Sequence, residues 1–481
     1  MNRASAVLVK GLMRIGPQIL PFADAGSAEL PMPRLLRLSL FQVTVGMAAV
    51  LLIGTLNRVM IVELGVPSWL VALMLSLPLL FAPLRALIGF RSDTHRSVLG
   101  WRRVPYIWFG TLLQFGGLAI MPFSLLILSG DTTGPIVIGQ AAAAFAFLLV
   151  GAGLHTVQTV GLALATDLAP AHTRPRVVAL LCAMLLVGMG VSALAFGALL
   201  ANFSAIRLIQ VVQGAAVVTM VLNCVALWKQ EARGALPPVQ NVDFSQAWKR
   251  FATTGRARRR LFATALGAAG FSMQDILLEP YGGRVLHLPV SATTALTAML
   301  ALGSGVGLAI AARWLTRGAD PHRVAGVGAV VGVVAFFAVI FAAPADSSTL
   351  FSIGVTLIGL GGGLFAHGTL TASMETARPE DRGLALGAWG AAQATAAGLA
   401  IAASGAINDA GSMLAASGAL GEAFVSPASG YAIVYVIEIL LLLATIVAIG
   451  PLVRFTKQDD GETPTDFDLV PTSRFNSGVT Q

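Results

Sequence analysis

The sequence predicts an all-α integral membrane protein with twelve transmembrane helices in two pseudo-symmetric six-helix halves. Three observations lead there. Charged side chains make up 11% of the 481 residues against 56% in the hydrophobic set, with a mean hydropathy of +0.80. A soluble domain carries about 25% charge, so a soluble chain is excluded, and a disordered one equally. Apolar runs of about 20 residues, the length that spans a bilayer, recur twelve times, six on either side of a polar stretch at 229–260. Short motifs at the ends of corresponding runs repeat between the halves.

Residues 1–35 form an N-terminal segment. Its apolar run, Val7 to Phe22, is interrupted by Lys10, Arg14, Pro17 and Pro21 and precedes no clean cleavage site. It reads as an amphipathic surface segment or a plain tail, not a signal peptide. The N-terminal half, 36–228, holds spans at 36–63, 67–90, 104–129, 135–166, 176–203 and 206–228. A basic linker, 229–260, precedes the C-terminal half, 261–455, with spans at 261–280, 290–316, 323–343, 348–374, 383–408 and 430–453; residues 456–481 form a tail. The fourth and tenth spans exceed what a bilayer needs, which predicts tilt or a broken helix. Cys182 and Cys224 lie in apolar stretches without metal or disulfide-framework spacing and read as buried thiols.

Basic residues set the orientation. Of 31 Lys and Arg, 27 fall in the N-terminal segment, the even-numbered loops and the tail; only Arg207 and Arg284 fall on the other side, and Arg58 and Arg85 lie inside spans. Both termini are therefore expected in the cytoplasm. The net charge of +8 follows from this topology, with no call for nucleic acid. Trp69, Trp101, Trp108, Trp228 and Trp314 lie near span ends, as an interfacial belt requires.

The two halves echo each other. Span 4 is followed by Asp167, Pro170 and Arg174, and span 10 by Glu375, Pro379 and Arg382, each arginine seven residues after its acid. Span 1 ends Asn57-Arg58-Val-Met-Ile-Val-Glu63 and span 7 ends Gln274-Asp275-Ile-Leu-Leu-Glu279: an amide, a charge, an aliphatic run, a glutamate. Internal repeats in a twelve-span chain are the mark of the major facilitator fold. Loop 2–3 opens as that fold's loop motif does, with Gly89 and Asp93, then departs from it: Arg96 stands where a glycine is usual, and the basic pair comes late, as Arg102 and Arg103.

Polar residues at membrane depth are the functional short list. They are Gln42, Asn57 and Arg58 in span 1, Arg85 in span 2, His155 and Gln158 in span 4, Gln274, Asp275 and Glu279 in span 7, His367 in span 10 and Glu438 in span 12. In the facilitator architecture spans 1, 4, 7 and 10 line a central cavity. Arg58 and Asp275 hold equivalent positions with opposite charge, which predicts that they meet across the pseudo-two-fold as a gate or a clasp, with Glu63 and Glu279 nearby. Asp93, Arg96, Asp167, Arg174, Glu375 and Arg382 are candidates for a gate on the cytoplasmic side. His155 and His367 are placed to face the cavity from opposite halves; each reads as a packed histidine, a proton relay, or an axial ligand to a tetrapyrrole metal. The glycines of span 10, Gly359, Gly361, Gly362 and Gly363, allow close packing and also leave room for a flat ligand. Nucleophile elbows, phosphate loops and metal-ligand clusters do not occur, so an enzyme is not expected.

Three stretches carry a more specific resemblance: Arg91-Ser-Asp-Thr-His-Arg-Ser-Val-Leu-Gly-Trp-Arg-Arg-Val-Pro-Tyr-Ile-Trp108, Met273-Gln-Asp-Ile-Leu-Leu-Glu-Pro-Tyr-Gly-Gly283 and Leu56-Asn-Arg-Val-Met-Ile-Val-Glu-Leu64. They resemble the bacteriochlorophyll-delivery (PucC/LhaA) family of the major facilitator superfamily, from purple phototrophic bacteria. The resemblance runs from about Leu20 to Phe455. It implies an assembly factor for light-harvesting antenna complexes, complex 1 favoured over complex 2, that binds bacteriochlorophyll a and delivers it to the small α and β polypeptides. Carotenoid is a further candidate cargo, and no structural metal ligated by the protein is implied. The implied partners are those polypeptides, bacteriochlorophyll synthase, and reaction-centre or translocon components in the intracytoplasmic photosynthetic membrane; a homo-oligomer is compatible with it.

Bacteriochlorophyll is a large apolar ring with a Lewis-acidic magnesium. A carrier needs an apolar, laterally accessible site with an axial oxygen or nitrogen ligand, and His155, His367, Gln158, Gln274 and Tyr281 are the candidates. Two other readings remain open on the residues alone: an ion- or proton-coupled small-molecule transporter, and a pigment-free scaffold or chaperone for antenna polypeptides.

Overall fold

A computed structural model describes residues 25–27, 29–80, 88, 92, 101–129, 134–170, 173–231, 257–375, 382–419, 421–422 and 425–453. Every regular element among them is helical. The first half comprises α1 (Met32–Glu63), α2 (Ser68–Leu80), α3 (Val104–Leu128), α4 (Ile136–Leu168), α5 (Arg174–Leu199) and α6 (Ala205–Leu227). The second comprises α7 (Ala257–Arg284), α8 (Val290–Thr316), α9 (Pro321–Ala342), α10 (Ser348–Glu375), α11 (Arg382–Ala416) and α12 (Ser429–Ile449). All but α2 are long and apolar enough to cross a membrane. The sequence places a full span at 67–90, of which Ser68–Leu80 is described as helix.

The helices start and stop for local reasons. α1 begins at Met32 because Pro33, in its first turn, has no N–H to lose there. α7 begins at Ala257, inside the expected linker, and takes Arg258, Arg259 and Arg260 into its first turn. There Arg259 donates to the carbonyls of Ala448 (2.9 Å) and Val447 (3.5 Å), satisfying acceptors at the C-terminus of α12. α11 runs eight residues past the expected end at 408, because Asn408 and Asp409 face the start of α2 rather than water.

Two-fold pseudo-symmetry is visible in the packing. In the first half α1 packs on α5 and α6, and α3 on α4 and α6; in the second α7 packs on α11 and α12, and α9 on α10 and α12. The halves join through α2 on α11 and α5 on α8, pairs that exchange under a six-helix shift. Arg34 at the start of α1 donates to Gln230 just after α6, so the first half begins and ends at one end of the bundle. The Arg259 bonds do the same for the second half. We call this the near end and the opposite one the far end.

α4 and α10 are long, 33 and 28 residues, but neither is broken. At 1.5 Å per residue α4 is about 50 Å long, against about 30 Å of bilayer hydrocarbon. The irregular helices are α1 and α7. α1 is π-helical over Val50–Leu56 and Val59–Glu63, and α7 narrows to a 3-10 turn at Met273–Ile276. Non-standard turns of this kind concentrate at functional positions.

Three of the four glycines singled out in α10 are consumed by packing, and a Cβ on the fourth, Gly362, would meet only Phe271, at 3.8 Å. A Cβ on Gly359 or Gly363 would strike the α8 carbonyls of Leu300 or Ser304, and one on Gly361 would lie 2.7 Å from the carbonyl oxygen of Gly328 on α9. At Gly359, Gly361 and Gly363 the space is filled by this chain's own helices, not kept for a flat ligand.

Candidate functional site

Pro280 explains the irregularity of α7. A proline there donates no N–H, and its ring would clash with the carbonyl of residue 276 in a continuous helix. The helix therefore stops after Ser272, turns once through Met273–Ile276, and restarts at Leu278 with Pro280 in its first turn. That turn presents Gln274, Asp275 and Glu279 between the halves. The backbone N–H of Gln274 is accepted by the Glu438 carboxylate of α12 at 2.7 Å. The Gln274 amide nitrogen donates to the carbonyl of Phe271 (3.1 Å) and to Asp275 Oδ1 (2.5 Å). Thr297 of α8 donates to Glu279.

α1 closes the site from the other half. A Cβ on Gly54 would lie 2.5 Å from Glu279 Oε1 and 2.9 Å from Thr297 Oγ1, so only glycine permits this approach. Asn57 Nδ2 donates to the carbonyl oxygen of Asp275 at 3.2 Å and to that of Ile53. Between these elements lies a cavity of about 190 Å³. Its polar walls are Gln274, Asp275, Glu279 and Thr297; Ile53, Met189 and Val355 contribute to the apolar remainder. It is therefore walled by α1, α5, α7, α8 and α10, and α4 takes no part, unlike the expected arrangement of spans 1, 4, 7 and 10.

The expected Arg58–Asp275 contact does not form. Arg58 pairs with Glu63, five residues on in its own helix, and crosses to the other half only to donate to the Leu288 carbonyl at 3.1 Å. Gly283 makes room for the guanidinium: a Cβ there would lie 3.1 Å from Arg58 Nη2. The π-helical turn over Val59–Glu63 closes the distance between Arg58 and Glu63. The segments do meet, one residue out of register and through amide and backbone, where Asn57 reaches the Asp275 carbonyl; farther along, Arg284 donates to the carbonyl of Ile61.

The pigment-ligand candidates disperse. Gln274 alone of the five lies on the cavity wall. Tyr281 belongs to the core: its hydroxyl donates to the Val339 carbonyl at 3.2 Å, and its ring packs against Phe351, Tyr431 and Tyr435 with centroids 5.2–5.7 Å apart. His155 and Gln158 are half-buried on α4, on a stripe that continues at helical spacing through Leu162 and Thr166 toward the near end. His367 is half-buried on α10.

At the near end Asp167 accepts from Arg102 and from Arg103 Nε (2.6 Å), and Arg103 Nη1 reaches Ser92 at 3.1 Å. The late basic pair therefore does hold the near end of the first half together. Glu231, which nothing in the sequence singles out, accepts the N–H groups of Arg102, Arg103 and Val104 at 3.0 Å and so caps α3. Asp93 and Arg96 lie outside the described residues, as do the side chains of Arg174, Glu375 and Arg382. Asn408 and Asp409 were also missed. Asp409 accepts the Trp69 N–H at 2.9 Å, and Asn408 donates to Ser68 at 3.3 Å. A polar pair in a small-residue helix was the available signal.

The profile of the PUCC protein family matches residues 55–457. The chain belongs to the PUCC protein family. It is 58% identical over 419 residues to Protein PucC of Rhodovulum sulfidophilum, covering 85% of this chain and 92% of that one. It is 56% identical over 440 residues to a Rhodobacter capsulatus protein named for the puhA-bchM intergenic region, covering 90% and 92%. Among solved structures, a variant of the nucleoside transporter NupG superposes with a TM-score of 0.66 at 13% identity, covering 88% of this chain and 100% of that one; this likeness concerns the fold alone. Family and fold together indicate a non-enzymatic, multi-pass membrane protein of the major facilitator type.

Proposed function

We propose that the protein is an assembly factor for light-harvesting antenna complexes, light-harvesting complex 1 favoured, which binds bacteriochlorophyll and hands it to the α and β polypeptides within the membrane. The observation that carries the reading is the family match over 55–457, which supports a role in light-harvesting complex assembly. The setting that goes with it is the intracytoplasmic photosynthetic membrane, both termini cytoplasmic, with bacteriochlorophyll synthase and reaction-centre or translocon components nearby.

Size bears on this reading. Drug-sized ligands occupy about 300–1,000 Å³, and a bacteriochlorophyll stands at the upper end of that size range. The cavity of about 190 Å³ does not enclose one. The half-buried stripe of α4 carrying His155 and Gln158 is one candidate surface, and the half-buried His367 on α10 is a separate one. Bacteriochlorophyll would be held there by an imidazole on its magnesium and by apolar contact along its ring; the protein would exclude water and orient the macrocycle.

The test is an absorption spectrum of the protein purified in mild detergent from a phototrophic host. Stoichiometric bacteriochlorophyll that is lost in His155→Leu or His367→Leu supports delivery. Colourless protein that still co-purifies with antenna polypeptides would replace delivery by a scaffold role.

A further inference from the structure

We propose that the outer face of α6 is a helix-packing surface on which a second copy of this chain docks, the two α6 helices joined through Gln210 and Gln213.

α6 lies on the outside of the first half, packed on α1 and α3. Its exposed face carries two primary amides, Gln210 and Gln213. Gln213 is eight residues after Ala205 and fifteen before Trp228. Those spacings are about 12 and 22 Å along the axis, so Gln213 is well inside the ~30 Å of hydrocarbon. Gln210 is one turn nearer the far end. Neither amide has a hydrogen-bond partner within the described chain. Among the described residues of the membrane-length helices, no other polar side chain is exposed five or more residues from a helix end. Water is absent at that depth, so the partner of an exposed amide there is another helix.

Around the amides the surface has the form that helix association in lipid requires. A Cβ added to Gly214 would meet no neighbouring atom within 4 Å. That notch opens outward and lets a second backbone come close. Val217, Val221 and Val225 continue the same face at helical spacing, all exposed. Their branched side chains hold one χ1 rotamer in a helix, so packing them costs little entropy. The equivalent helix of the second half, α12, exposes Val436, Leu440, Leu443 and Val447 and no polar side chain. That is a face made for lipid, and α6 departs from it.

The α6 face is its own complement. A primary amide donates through its nitrogen and accepts through its oxygen. Two copies in one membrane share one topology, so their α6 helices run parallel. A two-fold axis along the membrane normal sets each glutamine opposite its equivalent. Each pair then exchanges reciprocal hydrogen bonds, with the Gly214 notches beside them. Like charges do not oppose the contact, because α6 has no charged residue between Arg207 and Lys229.

The experiment reconstitutes the full chain, with a C-terminal fluorescent tag, in liposomes at falling protein density. Subunits are counted by single-molecule photobleaching. Dimers in reversible equilibrium with monomers are expected. Interhelical hydrogen bonds in membranes set the scale: Gln210→Leu with Gln213→Leu should weaken dimerisation roughly 3–20-fold. Gly214→Leu should weaken it too and melt as the parent does, because that position opens away from the chain's other helices. Val436→Ala on α12 should change nothing. Val221→Cys, with Cys182→Ala and Cys224→Ala, should cross-link to its equivalent under mild oxidation, which tests the contact even where the glutamine variants do not fold. Monomers at every density, or dimers that neither the glutamine variants nor Gly214→Leu weaken, overturn the proposal. So does a monomer in which the cysteine at position 221 is captured by a single-span antenna polypeptide, which would assign the face to that partner.

Discussion

The Glu438 carboxylate of α12 accepts the backbone N–H of Gln274 on α7 at 2.7 Å, at the turn where α7 loses its regular hydrogen-bond ladder. A buried carboxylate, 0% exposed, thus does for a broken helix what a carbonyl of the preceding turn would do for an intact one. The bond ties α12 to α7 and fixes the turn that aims Gln274 and Asp275 between the halves.

Glu438→Gln keeps an acceptor for that N–H and should melt near the parent. Glu438→Leu leaves it orphaned and should cost about 1–3 kcal/mol. Thermal unfolding in detergent distinguishes them; equal loss in both variants would show that charge, not the hydrogen bond, is what matters.

Gly54→Ala places a methyl group against Glu279 and Thr297. Overpacking of this kind costs about 1–3 kcal/mol, and the residues touch, so the effects should not add. Glu279→Ala should relieve part of the Gly54→Ala loss. Additive losses in the double variant would argue against the close approach.

Arg58 is 4% exposed, and its partner side chain, Glu63, is 36% exposed. Breaking the pair should therefore cost more than the ~0–1 kcal/mol of a surface pair and less than the ~3–5 kcal/mol of a fully buried one. Exchanging the charges, Arg58→Glu with Glu63→Arg, should recover part of the stability lost by either single change. Exchange with Asp275 should recover none, since the two side chains make no ion pair.

Asp409 caps α2 from the opposite half. Loss of a cap costs about 0.5–2 kcal/mol, and here it also releases a contact between halves. Asp409→Ala should raise maleimide labelling of a cysteine placed at Ser291, which faces Gly197 across the α5–α8 contact at the far end. Unchanged labelling would mean that the far end is held without it.

Much of this was legible in the sequence. Twelve apolar runs and a 6 + 6 division need only hydrophobicity and length, because a bilayer forces each backbone to satisfy itself within one helix. The acid-proline-arginine and amide-charge-glutamate echoes pointed to the repeat, and polar residues in spans 1 and 7, among those in spans 2, 4, 10 and 12, pointed to the candidate site, because burying them in an apolar chain has to be compensated. The break in α7 was also readable, at Pro280. Three things were not. Pairing depends on which atoms come within about 3 Å, and one residue of register, set by the π-helical turns of α1, sent Arg58 to Glu63 and left Asn57 to meet Asp275. Helix ends at 257 and 416 extend because distant carbonyls and N–H groups need Arg259 and Asp409, demands that no local window contains. Gly359, Gly361 and Gly363 of α10 could have served packing or a ligand, and only the neighbouring α8 and α9 decided for packing. Sequence alone determined what must be buried and how often the chain crosses; the tertiary structure decided which buried polar groups satisfy one another, because that depends on atoms far apart in the chain coming within about 3 Å.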